Sequence, residues 1–309
     1  MKKGLQIIKN KIKYLYIWFD YAVLLFCFSL LPQSLGRYLA KIRGVLYFYR
    51  KRDWRSFTFK DYGLHERVYN TYQELFPHYN HKEILSLVKQ RYISQSIEEF
   101  EAALCMRDKY RKITVHYKGI ENIQKLIDED QSIMFVSGHF GTIYGFLFFD
   151  FIPSSLYAMT ADITKMKMVH PAIVRFNLQK YKSLKKYMNG GEFLPFEGNR
   201  KKFIKALKNG SNAIVIIDLP PSGVNEEVLW VDFLGKKRGV ASGSEKIAKT
   251  TGSVIVPYVC YFENGSYVVE FGSPDDNPYD FLGREIKKRP QLWWASDLLG
   301  TYRKMESVD

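Results

Sequence analysis

Ile133-Met134-Phe135-Val136-Ser137-Gly138-His139-Phe140-Gly141-Thr142-Ile143-Tyr144 is the stretch on which the reading of this chain turns. Four apolar residues in a row, closed by Ser-Gly, read as a buried strand, and the longer apolar period after Gly141 reads as a helix. His139 then falls at a strand-to-helix junction. In an open α/β sheet, ligands bind outside the carboxyl ends of the strands, and a helix that starts there points unpaired N–H groups into the crevice. Imidazoles in general titrate near neutrality, so a histidine at that point is a candidate general base. The plainer reading, a packed or capping histidine beside a glycine turn, stands next to it.

Outward from this stretch the pattern alternates. Residues 114–116 read as a short strand, 120–128 as a helix, 155–159 as a strand, 171–181 as a helix, 193–196 as a strand and 200–208 as a helix. Residues 213–217 form a β-branched apolar run that ends in Asp218-Leu219-Pro220-Pro221, which places a second polar candidate, Asp218, at a strand's carboxyl end. Residues 242–251 read as a helix capped by Gly252, and 254–262, Asn264-Gly265 and 267–271 as a strand and hairpin. The order predicts an α/β fold with a mixed, mostly parallel sheet flanked by helices and an antiparallel addition. No internal repeat or linker divides it, so a single domain is expected over residues 37–309.

Before the sheet, residues 35–110 show helical spacing without sustained alternation. Leu85, Val88 and Tyr92, then Ile97, Phe100 and Leu104, mark packing faces with charged residues between them. Pro77 with His78, Asn80 and His81 marks a turn; His65, His78 and His81 lack metal-site spacing. The run Tyr47-Phe48-Tyr49-Arg50-Lys51-Arg52-Asp53-Trp54-Arg55 reads either as a membrane- or carrier-facing patch or as an ordinary amphipathic face.

At the start, Lys2, Lys3, Lys9, Lys11 and Lys13 precede an apolar and aromatic run over 14–31, interrupted by Asp20 and closed by Pro32. About 18 residues is near the minimum for a bilayer crossing, and an acid inside raises its cost. Arg37, Lys41, Arg43, Arg50, Lys51 and Arg52 come next, so both flanks are basic. Residues 1–36 therefore read as a hydrophobic N-terminal helix that anchors the chain, monotopic or as a short span; no small-residue cleavage site marks a signal peptide.

The net charge of +14 favours anionic partners: nucleic acid, anionic lipid or an acidic carrier protein. No basic zipper or RNP block supports nucleic acid, whereas the anchor supports an anionic membrane surface. Cys27, Cys105 and Cys260 are odd in number and far apart, with no Cys/His cluster at zinc spacing, so neither a disulfide framework nor a structural metal is expected.

With these blocks in place, the chain resembles the bacterial lipid A biosynthesis (lauroyl/myristoyl) acyltransferase family, within the wider glycerolipid acyltransferases that carry a His-x4-acid motif. Gly119-Ile120-Glu121-Asn122 through Val136-Ser137-Gly138-His139-Phe140-Gly141 is similar to "G-x-E-x-L … S-x-H-F-G-N-W-E". Val228-Leu229-Trp230-Val231-Asp232-Phe233-Leu234-Gly235 is similar to "V-x-V-x-F-F-G", and Gly243 through Thr251-Gly252-Ser253-Val254-Ile255-Val256-Pro257 to "G-x-A-x-L-A-x-x-T-G-A-P-V-V-P". The aromatic stretch Pro290-Gln291-Leu292-Trp293-Trp294 looks like the family's C-terminal end.

The resemblance implies an acyltransferase on the cytoplasmic face of the bacterial inner membrane. It implies acyl carrier protein or CoA thioester as donor, a lipid or glycan acceptor (O- or N-acylation), His139 as base and no other cofactor. The Gly141/Thr142 helix N-terminus would hold an oxyanion or phosphate, and Lys236, Lys237 and Arg238 an anionic group. Two departures stand out. Tyr144 occupies the motif acid's position, and a neutral phenol can orient an imidazole but cannot offset its cation. Asp218 is followed by Leu219 where the family usually has Gln. Asp218 or Glu245 is left as the acid that could reach His139. The alternative is a catalytically degenerate homologue that binds acyl chains, lipid or a partner enzyme.

Overall fold

The computed structural model describes residues 2–53, 55–56, 61–110, 113–165, 169–221 and 227–304. Trp54 and the side chains of Lys2, Lys3 and Lys9 lie outside the described residues. Helix α1 (Lys2–Phe19) runs through a π-helical turn (Asp20–Leu24) into α2 (Leu25–Leu30), and the chain breaks before Pro32. Helices α3 (Gln33–Arg50), α4 (Leu64–Leu75) and α5 (His81–Cys105) come next. Asn80 caps α5 in a capping box with Glu83, so the turn read around Pro77 is the start of the longest helix described.

The alternating part supplies β1 (Val115–Lys118), α6 (Glu121–Asp128), β2 (Ile133–Ser137), β3 (Leu156–Thr160), α7 (Pro171–Leu184), β4 (Phe193–Pro195), α8 (Phe196–Lys208) and β5 (Asn212–Ile216). A hairpin β6 (Val228–Phe233) and β7 (Lys236–Ala241), helix α9 (Gly243–Thr251), a second hairpin β8 (Val254–Glu263) and β9 (Ser266–Phe271), helix α10 (Pro278–Lys288) and β10 (Arg303–Lys304) complete it.

Seven strands form one sheet in the order β1-β9-β8-β2-β5-β3-β4; every adjacent pair is parallel except β8 with β9. Both faces of β2 are covered: Ile133 and Phe135 belong to one core cluster, Met134 and Val136 to the other, which is why its sequence is a continuous apolar run. From β2 the chain crosses over β5's place to β3 and β4 before returning, and β8 later fills the other side. The sheet therefore has its topological switch at β2, the place where α/β sheets open a crevice.

One sequence expectation is corrected by this fold. No α-helix begins after His139: between β2 and β3 the helical segment is a four-residue 3-10 turn, Gly145–Phe148. Gly145 packs so closely on β8 that a Cβ there would lie 2.6 Å from the Cβ of Cys260. The block at 228–235 supplies one strand, β6, and the following turn of an antiparallel sheet of three strands, β10-β7-β6. Its turn, Leu234-Gly235, has positive φ at both residues (56° and 82°), the backbone a tight hairpin needs, without an Asn-Gly signature to announce it.

The charged residues between the packing positions of α5 are inside from Arg91 onward. Arg91, Gln95, Glu98, Glu99 and Glu101 are all buried. Asp20, the acid within the apolar N-terminal run, receives a fork from Arg43 Nε and Nη2 (2.8 and 2.6 Å), and Arg43 Nη1 reaches Glu99 at 2.5 Å. Tyr47 and Tyr21 donate to Asp20 and Glu99. The N-terminal helices thus share polar bonds and core with the rest of the chain: Ile17, Tyr21, Leu25 and Phe28 join the cluster that covers one face of the sheet.

Candidate active site

Strands β2 and β5 are parallel neighbours with Ser137 opposite Ile216. His139 and Asp218 each lie two residues beyond that pair, so equal offsets bring them together at the carboxyl edge. The Nδ1 of His139 lies 2.8 Å from Asp218 Oδ1, and the His139 main-chain N–H donates to Oδ2 at 2.8 Å. Trp293 Nε1 donates to Oδ2 as well, at 2.8 Å. Asp218 is fully buried, and these donors meet its lone pairs. Gly138 makes the approach possible, because a Cβ there would lie 2.9 Å from Asp218 Oδ2 and 2.7 Å from Leu282.

The C-terminal aromatic stretch holds the loop. Phe140 and Trp293 form an antiparallel bridge, Gly141 N–H donates to Leu292 O (2.8 Å) and Trp294 N–H to His139 O (3.0 Å). The indole of Trp294 meets the imidazole edge to face with centroids 4.3 Å apart. Buried Arg91 fixes this stretch from α5 through Trp294 O (2.6 Å). The imidazole, pinned at Nδ1, keeps 18% side-chain exposure, and its Nε2 has no hydrogen-bond partner among the described residues.

The other residues singled out in the sequence have different surroundings. Tyr144 makes no hydrogen bond to His139; it is buried and donates to the carboxylate of Glu98 on α5. Of the two acids considered, Asp218 makes the bond to His139, while Glu245 is engaged by Ser244 Oγ at 2.9 Å. The amides of Gly141 and Thr142 are not open to an oxyanion: no helix begins there, and they donate to Leu292 O and Cys260 O, both at 2.8 Å. Gly141, at φ +55°, sits so close to β8 that a Cβ would lie 2.3 Å from Cys260 O. Thr142 Oγ1 donates to Glu101 (2.6 Å), which also receives Arg37 and Tyr267.

Arg238, read as an anion contact, is buried. Its guanidinium serves Phe233 O, Leu299 O and Glu74, and Lys236 pairs with the same Glu74 at 2.8 Å. Both brace the small sheet; Lys237, between them, is exposed. The aromatic and basic run from Tyr47 contributes Phe48, Tyr49 and Lys51 to a cavity of about 580 Å³ shared with His65, Tyr69 and His81, apart from His139.

Glu98 is a buried carboxylate that the sequence reading did not single out. Burial pushes its carboxyl above the usual range; the charges of Lys180 and His139 and the Tyr144 bond oppose this. Its signal was the spacing of polar residues on α5, where 91, 95, 98 and 101 recur at three and four and so share one helix face.

An α/β sheet with a histidine–carboxylate pair at its switch point is the layout of a transferase or hydrolase that activates a nucleophile by general base. The model of the bacterial lipid A biosynthesis acyltransferase family matches residues 5–277, and the chain belongs to that family and is an acyltransferase. No curated protein sequence matches it. Among solved structures, the 1-acyl-sn-glycerophosphate (LPA) acyltransferase PlsC from Thermotoga maritima is similar to 82% of this chain and 96% of its own, at 16% identity and a TM-score of 0.33.

Proposed function

We propose that this acyltransferase moves a fatty acyl chain from an acyl thioester, carried by acyl carrier protein or CoA, to a hydroxyl or amine of a lipid or glycan acceptor. His139 is the general base. The observation that carries the reading is the buried Asp218 carboxylate on Nδ1, which leaves Nε2 as the proton acceptor. Nε2 takes the proton of the acceptor's O–H or N–H as that atom attacks the thioester carbonyl. The tetrahedral intermediate then expels the thiolate, which leaves with the proton returned by Nε2. Asp218 faces the imidazolium in between. The degenerate, binding-only alternative rested on Tyr144; with a carboxylate delivered by β5, that motive falls away.

The site works at the cytoplasmic face of the inner membrane in this reading. Residues 11–30 form a helix of mean hydropathy 1.4, one third buried. Its inner side is tied down by Asp20, and its outer side exposes Ile12, Leu15, Phe19, Phe26 and Leu30. On α3, Leu35, Tyr38, Ile42, Leu46 and Tyr49 are exposed at helical spacing. A pair of helices with one face bonded inward and one apolar face outward favours lying in the interface over crossing it, because a span would strip Asp20 from Arg43.

The test is acyl transfer by purified protein from radiolabelled acyl carrier protein and acyl-CoA to a total lipid and polar-metabolite extract. Wild type is expected to label an acceptor and His139→Ala to label none; labelling retained by His139→Ala sinks the assignment.

A further inference from the structure

The cavity of about 580 Å³ lies where the end of α3 meets α4 and the start of α5, and the reaction proposed at His139 makes no use of it. Its size is that of a small-molecule site. Phe48 packs edge to face on Tyr49, with centroids 5.3 Å apart, and lies 5.5 Å from the His65 ring; Tyr69 OH and His81 Nδ1 are 2.8 Å apart. These contacts make an aromatic wall. Two further lining residues carry full charge, Lys51 and Glu66. Both are exposed, and among the described residues neither forms an ion pair, with the other or with a third group. Arg67, next to Glu66 in the chain, is spent on Asp61. Burial and the charge of Lys51 hold the His65 imidazole below its ordinary value, so it adds no charge at neutral pH.

Position says which molecules reach this cavity. Tyr49, 70% exposed, ends the outward row on α3 that begins at Leu35, and it also lines the cavity. With that row against a bilayer, the cavity lies at the edge of the contact, where Arg50 and Arg52, exposed on either side of Lys51, suit a layer of lipid phosphates. We propose that the cavity binds a zwitterionic glycerophospholipid whose headgroup carries a primary amine, its phosphate at Lys51, its ammonium at Glu66 and its glycerol against the aromatic wall. One ammonium and one carboxylate in the lining match the two charges of such a headgroup. A primary ammonium has N–H donors for a carboxylate, whereas a quaternary one has none. The rings of Tyr49 and Tyr69 favour a cation beside them as well. A purely anionic headgroup or an acidic carrier protein would set like charge against Glu66.

This inference rests on the membrane contact read for α1 and α3, not on transfer at His139, and its test separates the two. Full-length protein is sedimented with vesicles of phosphatidylcholine and phosphatidylglycerol, and with vesicles in which phosphatidylethanolamine replaces the phosphatidylcholine, so that net charge is equal. Wild type is expected to bind the second kind about tenfold tighter, the order of one hydrogen bond to a charged group. Glu66→Gln is expected to erase that preference and leave binding to the first kind unchanged. Lys51→Met is expected to weaken binding to both, since both lipids carry the phosphate. Both residues are exposed, so unfolding temperatures should stay as in wild type. Equal binding of wild type to the two vesicles overturns the inference and leaves the membrane contact standing. A preference that Glu66→Gln retains is an effect of vesicle packing and overturns it too, as does wild-type binding by Lys51→Met. Wild type that sediments with neither vesicle overturns the membrane contact itself, and this inference with it.

Discussion

Two of the places where charge is buried in this molecule are built differently. At the sheet edge, Asp218 has no resident cation among the described residues: its donors are an indole, a main-chain amide and an imidazole that becomes charged only when it takes a proton. In the helical layer, Arg43 sits permanently between two carboxylates, Asp20 and Glu99. In the proposed reaction the first arrangement stabilises a charge that appears on His139; the second neutralises charges that are always there. One guanidinium cannot balance two carboxylates. Burial accordingly outweighs Arg43 at Glu99, which is pushed up from 4.5 to about 7 despite the 2.5 Å contact, while Asp20 takes the two-pronged half of the fork. Buried charge is thus a sign of chemistry only where its counter-charge is missing at rest.

That contrast makes separable predictions. Asp218→Asn is expected to cost about 10⁴ in turnover, as loss of the orienting carboxylate does in Ser-His-Asp enzymes, with the fold intact by circular dichroism. A loss of less than tenfold would break the contrast at the site. Arg43→Ala is expected to do the reverse: it leaves two buried carboxylates unpaired and destabilises by about 3–5 kcal/mol, read from denaturant unfolding. Little change there would mean that water already reaches the cluster.

Smaller effects sharpen it. Trp293→Phe removes one of the Asp218 donors and is expected to cost about 2 kcal/mol in kcat/KM, roughly thirtyfold. The smallest effect is the pH dependence of stability that comes from Glu99. A carboxyl whose folded pKa is raised favours the folded state below its unfolded pKa and loses that contribution as pH rises through the folded value. Unfolding midpoints of wild type should therefore fall, relative to Glu99→Gln, between pH 4.5 and about 7 and run parallel above it. Parallel curves throughout would show that Glu99 is ionised in the folded state at all these pH values.

The amino-acid sequence alone determined the alternating strands and helices, the apolar N-terminal run and the positions of His139 and Asp218 at strand ends. These are local properties: period, turn residues and run length are written in neighbouring residues. It read Tyr144 as a gap in the site, because spacing along one segment cannot reveal a carboxylate that arrives from another. Only the tertiary structure decided that β2 and β5 lie side by side in register, which puts Asp218 on His139, and that α5 turns Glu98 inward to Tyr144. The same limit hid the spent amides of Gly141 and Thr142 and the enclosure of Arg238, since a donor's availability depends on what packs against it. Hydrogen bonds across 79 and 46 residues are set by strand order and helix packing, and the pattern of either segment by itself carries no trace of them.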